Sequence, residues 1–177
     1  NEDLLLYAKI VARVAAGEGY YQAAARELRS GNYPLRPFVT FRLPTLAVAA
    51  AWIGKPLLLA VQYGLFAAMV AAWWFRLDGV FPDSRRRISA TMLAAAGVAV
   101  AVSGRYLLLH EVWAGTLIAL SLALHRSNRW GWSVAAAALA LAVRELALPY
   151  VLLMAALALY RRGWRELAGW TSLVLIF

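Results

Sequence analysis

Ten side chains in this chain have the type and placement to do chemistry beside long apolar runs: Glu2, Asp3, Glu18, Arg36, Arg42, Arg105, His110, Glu111, Arg144 and Glu145. The adjacent acids Glu2 and Asp3 have the chemistry of a general base for a hydroxyl, or of a metal-binding carboxylate. The same pair also suits a helix start, where a cap contributes roughly 1 kcal/mol. Glu18 lies between Gly17 and Gly19, just before Tyr20-Tyr21. Flanking glycines let a ligand approach the backbone closely, so Glu18 reads as a catalytic or sugar-binding carboxylate. It reads equally as a solvated acid near the positive end of the next helix.

His110-Glu111 offers an imidazole and a carboxylate for binding hydroxyls or moving a proton, or else an interfacial histidine and a helix-start acid. Arg144 and Glu145 are neighbours, so they do not face each other along a helix and each needs its own partner. For Arg144 that partner is Glu111 or a phosphate, which an arginine grips in bidentate fashion. A structural ion pair tying two hairpins together is the alternative. Arg36 and Arg42 flank Pro37-Phe38-Val39-Thr40-Phe41, where they hold an anionic head group or simply snorkel to a membrane surface.

Other chemistries are excluded. The chain has no cysteine, and its two histidines, His110 and His125, stand at opposite ends of one apolar run. They cannot supply the three or four protein ligands of a zinc site. Phosphate-cradling glycine loops, nucleophile elbows and zinc-protease helix motifs are missing. No cofactor is expected, and a divalent metal at Glu2-Asp3 is possible but without further support. The net charge of +9 raises nucleic acid as a partner. The arginines, however, flank apolar runs without interleaving exposed aromatics, so no nucleic-acid partner is expected.

The elements that must hold these residues are membrane-like. Hydrophobic residues make up 63% of the chain and mean hydropathy is +0.64, above the roughly 45–50% apolar usage of soluble domains. An all-α, polytopic transmembrane bundle is predicted, with interfacial amphipathic helices in its first non-cytoplasmic segment. Residues 1–43 form that segment: Leu4, Tyr7, Ile10, Val11 and Val14 make one apolar stripe, Lys9 and Arg13 lie opposite, and a second short helix runs from Tyr20 to Arg29. Residues 44–177 form the bundle. Its spans are expected at about 57–75, 88–104, 112–124, 132–143, 146–160 and 167–177, with 45–54 an interfacial or partly inserted helix. The pair 132–143 and 146–160 is expected as two passes, although one long helix carrying Arg144 at mid-membrane is the alternative.

Arginines orient the bundle. Arg76 and Arg85–Arg87, then Arg126 and Arg129, then Arg161, Arg162 and Arg165 fall in alternate connections, and the positive-inside rule places them in the cytoplasm. The candidate chemical residues then gather on the opposite face. The paired tyrosines, Trp73-Trp74, Trp113, Trp130 and Trp132 are expected as interfacial aromatics. Because Asn1 is not methionine and Phe177 lies inside an apolar run, the chain is expected to be a fragment of a longer protein.

The order of features is similar to that of a known family. An acidic pair, an amphipathic stretch, Gly17-Glu18-Gly19-Tyr20-Tyr21, Gly31-Asn32-Tyr33-Pro34, Arg42-Leu43-Pro44-Thr45-Leu46, an arginine-rich cytoplasmic loop and His110-Glu111 follow in turn. This layout resembles the polytopic GT-C class of membrane glycosyltransferases, which use lipid-linked sugars. The resemblance implies that Asp3, with Glu2, matches the acid of the first external loop, and that the first transmembrane helix and the C-terminal part lie outside this chain. Glu18 is the competing match. It further implies an external acid at Glu111, a basic residue at Arg144, and transfer of a sugar from a polyprenyl-phosphate donor to an acceptor on the non-cytoplasmic face.

The rival expectation is a non-catalytic structural or accessory subunit of a larger membrane complex, whose external charges pair with one another or with partner chains. Expected partners are membrane lipids, a polyprenyl-phosphate sugar for the enzyme, and other membrane subunits for the rival. The expected location is a bacterial inner membrane with residues 1–43 in the periplasm.

Overall fold

The computed structural model describes residues 2–33, 42–126 and 128–177, and among these every regular element is helical, with no strand. The all-α class predicted from the apolar patterning is what forms. The amphipathic stripe becomes α1 (Glu2–Ala15), with Leu6, Tyr7 and Ile10 buried and Lys9 exposed. Its apolar side packs on Tyr20, Ala23, Ala24 and Leu28 of α2 (Tyr20–Ser30) and on Ala47. Between the two helices Gly17 adopts φ 92°, and the N–H groups of Gly17 and Glu18 bond to the carbonyls of Val14 and Arg13 at 3.0 Å each. A residue without a Cβ takes this left-handed turn at no steric cost, which ends α1 and starts the reversal.

α3 (Thr45–Asp78) unites the short helix expected at 45–54 and the span expected at 57–75 as two limbs of one bent helix. The bend lies at Gly54, at φ 76° and ψ 161°, a conformation open almost only to glycine. Pro56, two residues on, has no N–H to continue the hydrogen-bond ladder. The first limb buries Leu46, Ala47 and Ala50. Among the described residues α3 is the one helix both long and apolar enough to cross a membrane, and only 17% of its most apolar window is buried.

Beyond α3 the helices are short, and Ser84–Ala96 and Leu148–Tyr160 fall short of the spans expected for them. α4 (Ser84–Ala96) is capped by Asp83, whose side chain accepts from the Arg85 N–H at 3.1 Å. It gives way to 3-10 turns at Ala99–Val102 and Gly104–Tyr106 instead of continuing to residue 104. Gly97 and the alternating valines Val98, Val100 and Val102 are poor helix formers, which accounts for the early end. α5 (His110–Leu124), α6 (Gly131–Val143), α7 (Leu148–Tyr160) and α8 (Trp164–Ile176) follow. At about 1.5 Å per residue each is roughly 20 Å long, against about 30 Å of hydrocarbon. Arg144, extended at φ −150° and ψ 120°, and a 3-10 turn at Glu145–Ala147 separate α6 from α7, so the chain forms two helices here rather than one.

The core of this half is built from small residues. Ala137, Ala140, Ala155 and Ala158 let backbones approach around Leu117, Leu141, Val151, Met154 and Trp170. Polar groups are paired inside it. Ser121 and Ser133 each donate to the other's carbonyl at 2.7 Å, and the Tyr150 hydroxyl lies 2.9 Å from Ser121 Oγ. His125 Nε2 meets Glu166 Oε1 at 2.6 Å, both residues buried, and Trp170 Nε1 donates to the same oxygen at 3.3 Å. At the end of α3 the Arg76 guanidinium donates to the His125 carbonyl.

Candidate functional site

Five of the residues with chemical potential meet at one end of the fold. Glu111, in the first turn of α5, points Oε1 at Arg42 Nη2, 3.2 Å away, and at Arg144 Nη2, 3.5 Å away. Arg144 Nη1 lies 3.0 Å from Glu145 Oε1. These last two atoms are close enough for an ion pair, yet neither makes an aligned hydrogen bond, so the contact is Coulombic. His110, beside Glu111, is buried and places Nε2 3.2 Å from the Leu43 carbonyl.

Each member is held by a different element. Arg42 follows the segment after α2, and Thr45, at the head of α3, donates to the Ala142 carbonyl near the end of α6. That bond ties the segment carrying Arg42 to the helix that ends at Arg144. The Arg42 guanidinium lies over the Tyr7 ring of α1, 4.2 Å from its centroid, and the Tyr7 and His110 rings tilt together at 5.7 Å. The face of an aromatic ring attracts a cation, so Tyr7 fixes the guanidinium from one side. The Tyr20 hydroxyl of α2 donates to the Arg42 carbonyl at 2.7 Å. Burial, followed by the neighbouring Tyr7 and Tyr21, raises the Tyr20 phenol above its ordinary pKa, while Arg42 and Arg144 act in the opposite sense. The phenol therefore remains a donor across the physiological range.

The arrangement is balanced in charge, Arg42 and Arg144 against Glu111 and Glu145, but poorly hydrogen-bonded. Arg144 is buried, and Arg42 Nη1 with Arg144 Nε and Nη1 makes no hydrogen bond among the described residues; nor do the acceptors Glu145 Oε1 and Oε2 and the Nδ1 of His110, whose Nε2 faces the Leu43 carbonyl. Buried polar groups nearly always find partners, so these open donors and acceptors mark a place where a ligand or ordered solvent fits. Two convergent guanidinium groups suit an oxyanion.

The other expected site residues lie apart. Glu18 Oε1 is 3.3 Å from Arg26 Nη2 and Oε2 is 3.3 Å from Arg13 Nη1, while the Arg13 Nε donates to Glu27. Glu27 first, then Glu18, raises the Arg13 pKa. These four form an ion-pair group distinct from that of Glu111. Arg105 lines a cavity of about 340 Å³ together with Leu4, Val11, Ala50, Lys55 and Leu58, an apolar groove with two cations on its walls. Arg36 lies outside the described residues, as do the side chains of Glu2 and Asp3, whose backbone opens α1. Among the described residues no group of three or more His, Asp or Glu could hold a metal ion.

Tyr7, Tyr20 and Lys55 were not singled out as site residues from the sequence. Tyr7 and Tyr20 read as apolar-face or interfacial aromatics, and nothing in their spacing marks Arg42 as their neighbour. No family model matches the sequence, and neither a curated protein nor a solved structure matches it.

Proposed function

We propose that this chain is part of a polytopic membrane protein that transfers a sugar from a polyprenyl-phosphate donor to an acceptor on the non-cytoplasmic face, in the manner of the GT-C class. The observation that carries the reading is the convergence of Arg42 and Arg144 on Glu111 with buried guanidinium donors still open. Charge builds on the phosphate as it departs from the sugar, and preorganised arginines stabilise that charge most where water is excluded. The apolar groove walled by Leu4, Val11, Ala50 and Leu58, with Lys55 and Arg105, has the composition to take a prenyl chain near a phosphate. Asp3 is the proposed base for the acceptor hydroxyl, with Glu2 beside it and Glu18 as its competitor. Glu18 is already neutralised by two arginines, which favours Asp3.

Membrane embedding is part of the same proposal. An apolar helix as exposed as α3, together with exposed Trp52, Phe75, Leu93, Leu175 and Ile176, would form patches that a water-soluble monomer rarely tolerates. Lipid or neighbouring helices cover such a surface.

The decisive experiment is sugar transfer from a prenyl-phosphate sugar in reconstituted membranes, comparing wild type with Asp3→Asn and Arg144→Lys. Loss of transfer in both, with unchanged helical content, is expected. Full transfer by Asp3→Asn moves the base to Glu18. Absence of transfer together with absence of prenyl-phosphate binding would sink the reading.

A second reading, a non-catalytic accessory subunit, is favoured by one observation: the charges on this face pair with each other, Arg42 and Arg144 with Glu111, and Arg13 and Arg26 with Glu18. It expects Arg144→Lys to weaken co-purification with a membrane partner while no transfer is detected.

A further inference from the structure

Glu111 fills its arginine site poorly. A single oxygen, Oε1, serves both guanidinium groups, at 3.2 and 3.5 Å, and three further nitrogens of the pair make no aligned hydrogen bond among the described residues, Arg144 Nη1 having only the ion-pair contact with Glu145 at 3.0 Å. The arginines are fixed: the Arg144 side chain is 9% exposed, and Arg42 is pinned between the Tyr7 ring and the Tyr20 hydroxyl that holds its carbonyl. Glu111 is not. Its side chain is 46% exposed and makes no other polar contact among the described residues.

We infer that Glu111 is a displaceable internal ligand: it occupies an oxyanion site formed by Arg42 and Arg144, and an incoming phosphate takes its place while the carboxylate turns out to water. The inference rests on the reading that this end of the fold handles phosphate. A phosphate presents at least three oxygens in a tetrahedral array, so it can reach donors that one carboxylate oxygen leaves open. A half-exposed glutamate is rehydrated on leaving, so its departure has little desolvation to overcome. A carboxylate built in as a permanent member would be expected to bury itself and use both oxygens. In the resting state Glu111 keeps the nearly buried Arg42 from standing uncompensated, a strongly unfavourable state, while Arg144 also has Glu145 beside it.

The test is titration calorimetry of this chain in nanodiscs of zwitterionic lipid, first with inorganic pyrophosphate, then with a long-chain prenyl monophosphate incorporated in the discs. Glu111→Gln is expected to bind pyrophosphate at least about tenfold more tightly than wild type, because a competing charge-assisted contact is gone. Arg144→Gln is expected to bind at least about tenfold more weakly. Equal or weaker binding by Glu111→Gln, with the loss in Arg144→Gln, overturns the inference and leaves the transferase reading standing. Tighter pyrophosphate binding without any prenyl-phosphate binding supports the latch and overturns the lipid-linked donor. Should Glu111→Gln fail to fold, Glu111→Asp keeps the charge but shortens its reach; it too is expected to bind more tightly than wild type, and unchanged affinity overturns the inference. No binding of either probe by any folded variant overturns both.

Discussion

Replacing Gly54 by alanine tests whether the bend in α3 is what holds Arg42 in place. A Cβ on Gly54 meets nothing nearer than Pro56 Cδ at 3.9 Å, so the substitution creates no clash and its cost lies wholly in the backbone. Holding a residue with a Cβ at φ 76° and ψ 161° costs about 1–3 kcal/mol. The helix has one escape, which is to straighten. That gains up to about 1 kcal/mol of helix propensity. It also pulls Leu46, Ala47 and Ala50 out of their buried positions, a loss of about 3–4.5 kcal/mol on transfer scales. Straightening thus costs about 2–3.5 kcal/mol net, so the cheaper route leaves the variant roughly 1–3 kcal/mol less stable, and straightening also moves the segment that carries Arg42. At about 2–4 °C per kcal/mol for a chain of this size, the melting midpoint in detergent should fall by roughly 2–12 °C. Because the chain has no cysteine, spin labels on Lys9→Cys and Trp52→Cys report the position of the first limb against α1 without background. Gly64→Ala is the control: its Cβ meets nothing within 4 Å and its backbone is helical, so the midpoint should hold or rise slightly. A Gly54→Ala protein with an unchanged midpoint and an unchanged label distance would refute the argument.

Four further outcomes follow from the packing. Gly169→Ala places a Cβ 2.5 Å from Trp130 Cζ3, so α8 or the indole must shift, and thermal unfolding should show a loss of about 1–3 kcal/mol. Ser121→Ala removes a donor to the Ser133 carbonyl and a partner of Ser133 Oγ and Tyr150 Oη within the core; about 1–3 kcal/mol of destabilisation is expected in the same assay, and a neutral result would mean the serine pair contributes nothing. Glu166→Ala leaves buried His125 and Trp170 Nε1 without their shared acceptor, and a lowered melting midpoint is expected, with Glu166→Gln partly restoring it. Tyr20 keeps its proton in the folded chain while an unfolded tyrosine releases it near pH 10, so the unfolded state binds fewer protons above that pH and stability falls as pH rises. Stability against pH for Tyr20→Phe should lack that contribution; identical alkaline limbs would show that the buried phenol is not its source.

Sequence by itself determined what depends on neighbours along the chain. The apolar stripe of α1, the reversal at Gly17, the break at Gly54-Lys55-Pro56 and the division at Arg144 are local, because φ and ψ preferences and a 3.6-residue period act over a few residues. The helical class follows from the same signals. The lengths of the apolar helices were less legible: a hydropathic run extends to residue 104, yet Gly97 and the valines after it end α4 near Ala96. Apolarity reports where a segment would be buried, not how its backbone is bent.

The site was decided by tertiary structure. Arg42, Glu111 and Arg144 carried charge signs that allow several pairings, and the sequence left Arg144 open to Glu111 or a phosphate. Docking of α1 on α3 and of α3 on α5, with the α6–α7 turn alongside, selects Glu111 as the shared partner and leaves donors over. Glu18 looked as free as Glu111 from its flanking glycines, but the packing of α1 on α2 brings Arg13 and Arg26 to it. His125 and Glu166, unremarkable in the sequence, become a buried pair only when α5 and α8 meet. A charge on a linear chain specifies the kind of partner it needs. Which partner it finds depends on how helices of limited apolar surface close-pack, and that is settled by shape across segments distant in sequence.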